Sequence, residues 1–121
     1  SHVTAIDPGE VVEPAISMPG LEHLRVKYQS CLPDLVARQQ PYDMLVCDVN
    51  CAPTEVVEML SDFLSVLKPG ARFVLTFKKF SPSGACTMQK YHENKEQALG
   101  VLGGLCDRVV VRHLFNNTAD E

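Results

Sequence analysis

Two short apolar runs in this chain end in groups that can exchange a proton. The first, Tyr42-Asp-Met-Leu-Val-Cys-Asp48-Val-Asn50, closes on an acid and an amide, and the second, Phe73-Val-Leu-Thr-Phe77, closes on Lys78 and Lys79. Read as strands of an open α/β sheet, both runs place these groups at carboxyl ends, beyond which such sheets bind their ligands. A carboxylate and an amine at neighbouring strand ends form a candidate acid/base pair. The structural alternative is that Asp48 caps a loop or helix and the lysines are solvated residues after an edge strand, since strand ends attract polar residues in any case.

The elements that must position these groups are legible between the two runs. Val56, Leu60, Phe63, Leu64 and Leu67 recur at helical spacing, with Glu55, Glu58, Asp62 and Ser65 on the opposite face. Pro53-Thr54 suits a helix start over 54–67 and Lys68-Pro69-Gly70 a stop. Strand, helix, strand is a βαβ unit, which predicts two parallel strands joined by a right-handed crossover.

Outside this unit the pattern is weaker. Val3 to Ile6 reads as a strand that breaks at Asp7-Pro8-Gly9, and Leu24 to Tyr28 alternates as a second strand would. Residues 32–40 suit a short helix before Pro41. Residues 87–105 carry Met88, Tyr91, Leu99, Leu102 and Leu105 at helical spacing, a long helix that weakens or ends at Gly103-Gly104. Val109-Val-Val111 predicts a last strand continued through Phe115. The strands expected are therefore 3–6, 43–48, 72–77 and 108–114, mostly parallel, in an α/β sandwich over a single domain, residues 1–121.

Composition bounds the function. Hydrophobic residues at 45% and charged residues at 21% are ordinary for a globular domain, and no run is apolar enough to span a membrane. The net charge of −4 argues against holding nucleic acid by overall charge, though not against a local basic patch. Five cysteines, an odd number with Cys47 and Cys106 inside apolar runs, suit free thiols in a reducing, intracellular setting, cytoplasmic or nuclear. Cys47 and Cys51 lack a second Cys/His pair nearby, so no metal site is expected. Ser1-His2 reads as the remnant of a cleaved tag.

The order Ala5-Ile-Asp7, Tyr42-Asp-Met-Leu-Val-Cys-Asp48, Leu67-Lys-Pro-Gly70 with Phe73 to Lys78, and a last strand pair resembles class I S-adenosylmethionine-dependent methyltransferases. More narrowly it is similar to the FtsJ-like ribose 2′-O-methyltransferases, particularly the RlmM type acting on ribosomal RNA. The resemblance covers nearly the whole chain and implies a Rossmann-like, mostly parallel sheet flanked by helices. It implies a Lys-Asp-Lys-Glu catalytic tetrad in which Asp48 is the aspartate, Lys78 the second lysine and Glu121 the glutamate. Counting from Pro-Gly in the shorter FtsJ pattern would place that lysine at Thr76, which shares a strand face with Lys78. Asp7 matches the acid that hydrogen-bonds the cofactor ribose, and the implied cofactor is S-adenosylmethionine, bound beside Asp7 and Asp48.

Two departures from that family stand out. Gln29-Ser30 occupies the region of the loop acid that contacts the adenine, and the first strand, its glycine-rich turn and the first tetrad lysine are absent. The sheet is therefore expected to be incomplete on its N-terminal side, with the chain corresponding to the C-terminal two-thirds of a methyltransferase domain and inactive by itself. Unpaired edges beside residues 3–6 and 43–48 would favour a homodimer or a rearranged strand order. The implied partner is structured or ribosomal RNA, contacted through Lys78, Lys79, Lys90 and Arg112, with no membrane. The alternative from a different class is a non-catalytic Rossmann-like interaction module or pseudo-methyltransferase. An upstream glycine-rich turn would discriminate in favour of the enzyme.

Overall fold

A parallel strand pair lies in each of two compact units, Ser1–Pro41 and Tyr42–Glu121, in a computed structural model that describes residues 1–81 and 83–113. The fold is α/β, with short parallel sheets and accompanying helices.

In the first unit, β1 (Val3–Ile6) pairs in parallel with β2 (Leu21–Leu24), Val3 opposite Leu21 and Ile6 opposite Leu24. A short 3-10 turn at Ala15–Ser17 lies on the connection. Gly20, at φ +84°, makes the turn into β2, where a Cβ would collide with the Ser1 carbonyl oxygen. The alternation through Tyr28 predicts this strand at 24–28, but it ends at Leu24 because its partner ends. Asp7-Pro8-Gly9 stops β1, and Pro8 has no N–H to continue a ladder. The chain then enters α1 (Tyr28–Ala37), one turn earlier than residues 32–40 suggest, with Pro33 inside the helix at the cost of an i→i−4 bond. Cys31 and Leu35 are its buried residues. Arg38, at its C-cap, forks onto both carboxylate oxygens of Glu22 on β2 at 2.7 and 2.9 Å. Those bonds hold the Glu22 carboxyl below the usual carboxylate range.

In the second unit β3 (Tyr42–Cys47) and β4 (Leu67–Leu75) run parallel, connected through α2 (Pro53–Phe63) and a 3-10 turn at Leu64–Val66. The helix expected over 54–67 is therefore shorter, because Leu67 is already laddered opposite Tyr42. From there to the Met44–Arg72 pair, β3 advances two residues and β4 five, so Lys68-Pro69-Gly70 bulges out, with Gly70 at φ +77°. Beyond it the register is regular: Leu45 with Phe73, Val46 with Val74, Cys47 with Leu75.

The core forms on one face of this sheet. Val57 and Leu60 of α2 meet Ala98 and Leu102 of α3 (Met88–Leu105), and Leu45, Phe73, Leu75 and Phe77 pack against them. Burial of Leu102 carries α3 through Gly103-Gly104 to Leu105, although each glycine opposes a helix by about 1 kcal/mol. The other face is bare: Met44, Val46 and Val74 are 49%, 64% and 55% exposed.

The expected strand 108–114 does not form over its described residues, 108–113, which carry no ladder. Val110 and Val111 are more than half exposed. Strand preference expresses packing against neighbours, and three valines with no paired strand beside them do not supply it. Leu114 and Phe115, and the returning strand expected after them, lie outside the described residues.

Leu60 is fully buried between the helices. Replacing it by Ala should cost about 2–5 kcal/mol by lost contact and a residual cavity. Leu64→Ala, at a 43% exposed position, should stay near about 0.5 kcal/mol. Urea unfolding of the two variants checks this, and equal losses would misplace the core.

Candidate functional site

Parallel pairing carries the ends of β3 and β4 to the same edge of the second unit. The ladder runs one bond past the regular strands, with Thr76 N–H donating to the Cys47 carbonyl at 2.9 Å. Residues 76 and 78 therefore lie beside 48. Lys78 Nζ stands 3.1 Å from Asp48 Oδ1 and donates to Asn50 Oδ1 at 3.0 Å. The Thr76 side chain also hydrogen-bonds the Asp48 carboxylate. The two positions at which a lysine could fall, 76 and 78, thus both reach the same acid.

The pair is asymmetric in its access to solvent. The Lys78 side chain is 14% exposed and that of Asp48 66%. Hydrogen bonds from Lys78 and then Thr76 hold the Asp48 carboxyl below its ordinary value of 3.8, against a smaller opposing effect of burial. The carboxylate is consequently charged at neutral pH, open on one side, and tethered to an amine on the other.

The start of α2 fixes this edge from behind. Pro53 opens the helix, where its missing N–H costs nothing. Ala52 has no side-chain acceptor with which to cap it. Glu55 reaches back to the Ala52 N–H at 2.7 Å, and Asn94 of α3 accepts from the Thr54 N–H at 3.0 Å. Tyr91 of α3 donates its hydroxyl proton to the Phe77 carbonyl at 3.4 Å. Two α3 side chains thus bind the strand and helix that frame Lys78, and burial raises the Tyr91 phenol. Asn94 was not visible from sequence: it acts on a residue 40 positions away, and no local pattern announces that.

A cavity of about 120 Å³ opens here, lined among others by Pro53, Lys78, Phe80, Lys90, Tyr91 and Asn94. A larger, open groove of about 390 Å³ lies at the other end of the strands, around the bulge, between Asp43, Met44 and Arg72. It contains the Lys68–Asp43 ion pair at 2.6 Å and none of the strand-end groups. Of the strand-end groups, Lys78 lines the smaller cavity.

Two cysteines at the end of β3 and the loop after it are held as thiols by their surroundings. Burial, followed by the negative charges of Cys47 and Glu55, pushes the Cys51 thiol up to about 11, and burial also raises Cys47. All five are free thiols, and no group of three or more His, Cys, Asp or Glu among the described residues could hold a metal.

The remaining sequence-predicted residues are placed unevenly. Asp7 lies in the first unit, exposed, just past β1, and one carboxylate oxygen accepts from the Gly9 N–H at 2.6 Å. Gln29-Ser30 forms part of the first turn of α1. Glu121 lies outside the described residues. Comparison with protein-family models, curated proteins and solved structures finds no match to this chain. No helix among the described residues is long and apolar enough to cross a membrane.

Because the folded Asp48 value is depressed, its ion pair contributes stability above the unfolded value and loses it as pH falls through the folded one. Carbon-detected NMR titration should place the Asp48 midpoint below 3.8, and Lys78→Gln should move it upward. An unmoved midpoint would break the pairing.

Proposed function

We propose that this chain is part of an RNA ribose 2′-O-methyltransferase domain of the class I S-adenosylmethionine-dependent type, FtsJ-like and of the RlmM pattern. The observation that carries the reading is the Lys78–Asp48 contact of 3.1 Å at the carboxyl ends of adjacent parallel strands. Strand topology supports it. A doubly wound sheet has the order 3-2-1-4-5, and without strand 1 it leaves two parallel pairs. Two parallel pairs are what the described residues form. β1 and β2 then stand as strands 2 and 3 of a Rossmann-like sheet, and β3 and β4 as strands 4 and 5.

In this reading Asp7 and Asp48 would each contribute to holding the cofactor. Asp7, exposed after β1, suits a ribose diol, and Asp48 borders the same class of strand end. No glycine-rich turn follows any strand among the described residues: Gly9 comes nearest, and a Cβ there would meet the Asp7 carboxylate at 2.9 Å. When bound, S-adenosylmethionine supplies an electrophilic methyl group. The ribose hydroxyl is a weak nucleophile, and in this reading Lys78, in its neutral form, would take up the hydroxyl proton. Asp48 and Asn50 orient the amine, and Thr76 fixes Asp48. Glu121 would complete the set as the tetrad glutamate.

A second reading, a non-catalytic Rossmann-like interaction module, draws on the bare apolar face of Met44, Val46 and Val74 and on the outer edges of the short sheets. In it the edges associate with a second copy and Asp48 is a structural cap.

Residues 1–121 by themselves should transfer no methyl group and bind S-adenosylmethionine feebly, because they carry no glycine turn to admit the ligand to the backbone. Saturable micromolar binding by calorimetry would contradict this. In a longer chain that carries such a turn, Lys78→Ala and Asp48→Ala should each lose about 10²- to 10⁴-fold in turnover with thermal stability retained. Near-normal turnover in both would remove the catalytic assignment, and collapsed stability would favour the structural cap.

A further inference from the structure

The cavity beside Lys78 has a charge that the chain as a whole does not. The sequence carries 11 basic and 15 acidic residues, yet the cavity lining includes two lysines and no carboxylate. Lys78 is answered by Asp48. Lys90, exposed in the first turn of α3, has no acidic partner among the described residues. Asn94 spends its carbonyl oxygen on the Thr54 N–H, which leaves its amide N–H groups as the end available to an acceptor. Phe80, 37% exposed, adds an apolar wall with a ring face. An ammonium with no acidic partner among the described residues, an amide donor and an exposed aromatic ring at the mouth of this small cavity match a nucleotide laid across it: phosphate on the cation and amide, base on the ring outside.

We propose that this cavity is a subsite for one nucleotide of single-stranded RNA, its phosphodiester on Lys90 and Asn94. The proposal rests on the reading of the chain as part of an RNA methyltransferase domain and names where the substrate strand is gripped. The Asn94 bond to α2 aims its amide, and the Tyr91 bond to the Phe77 carbonyl ties α3 to the strand end, before any ligand arrives. The subsite therefore positions the strand next to the Lys78 amine without reading its sequence.

The test uses the full chain and a fluorescein-labelled ten-residue oligouridylate, titrated by anisotropy over a range of salt. Binding should be saturable and tighter than the roughly 10⁻⁴ M of the weakest non-specific contacts. Lys90→Gln should weaken it and reduce the salt slope by about 0.7, one phosphate on a single strand. Phe80→Ala should weaken it with the slope unchanged. Lys27→Gln, an exposed lysine of the first unit, serves as the control for loss of charge alone, with far-UV circular dichroism to verify folding. Binding no tighter than that limit, or equal losses in Lys27→Gln and Lys90→Gln, would overturn the subsite. Displacement by inorganic phosphate at equal concentration would make it a free-anion site and overturn the nucleic-acid assignment. The two readings fail separately. Oligouridylate held by Lys90 without methyl transfer from a longer, glycine-turn-bearing chain leaves the subsite standing and removes the methyltransferase. Methyl transfer with an unchanged KM for RNA in Lys90→Gln does the reverse.

Discussion

The second unit depends on one constraint, the parallel pairing of β3 with β4. Parallel neighbours cannot be joined by a tight turn, so the chain must cross back over the sheet, and α2 is that crossing. The crossing buries Val57 and Leu60 against α3 and brings the ends of both strands to one edge. The Lys78–Asp48 contact follows from register: Cys47 stands opposite Leu75, so residues 48, 76 and 78 gather just beyond. An antiparallel pairing of the same strands would place Lys78 at the opposite end from Asp48. The chemistry at this edge is thus a consequence of topology, with side chains added where the ladder runs out.

What the sequence disclosed and what it hid divide along the same physical line. Local periodicity identified α2, the length of α3, both central strands and their parallel sense, because each is written in a pattern of neighbours along the chain. The Asp48–Lys78 approach was also legible, since it needs only two strand ends and one crossover. Partner-dependent features were not. β2 ends at Leu24 because β1 runs out, which the alternation from Leu24 to Tyr28 does not record. Val109-Val-Val111 has the composition of a strand, yet residues 108–113 form none. The Asn94 cap on α2 joins residues 40 apart, and the three-residue bulge at Lys68-Pro69-Gly70 reads equally well as a simple stop.

The bare side of the β3–β4 sheet bears on both readings of function. Parallel sheets are ordinarily covered on both faces, because their crossovers place helices there and their strands are apolar on either side. Here one face carries the whole core, while Met44, Val46 and Val74 face outward. Arg72, opposite Met44 in the ladder, is the polar exception on that face. Such a surface matches a sheet that continues into further elements.

Electrostatics at the edge gives the strand ends different tasks. Asp48 is mostly exposed and keeps its charge through Lys78 and Thr76, so its stabilising effect is small and screened by solvent. Lys78 is mostly covered, and its direction is set by two acceptors from the β3 end, Asp48 and Asn50. A pair arranged this way contributes more to orientation than to stability: the covered amine is aimed, and the exposed carboxylate does the aiming. Converting that amine into a base requires either desolvation or a second cation close by. Lys90 lines the same cavity with no acidic partner among the described residues. The oriented amine and a second ammonium therefore line one cavity.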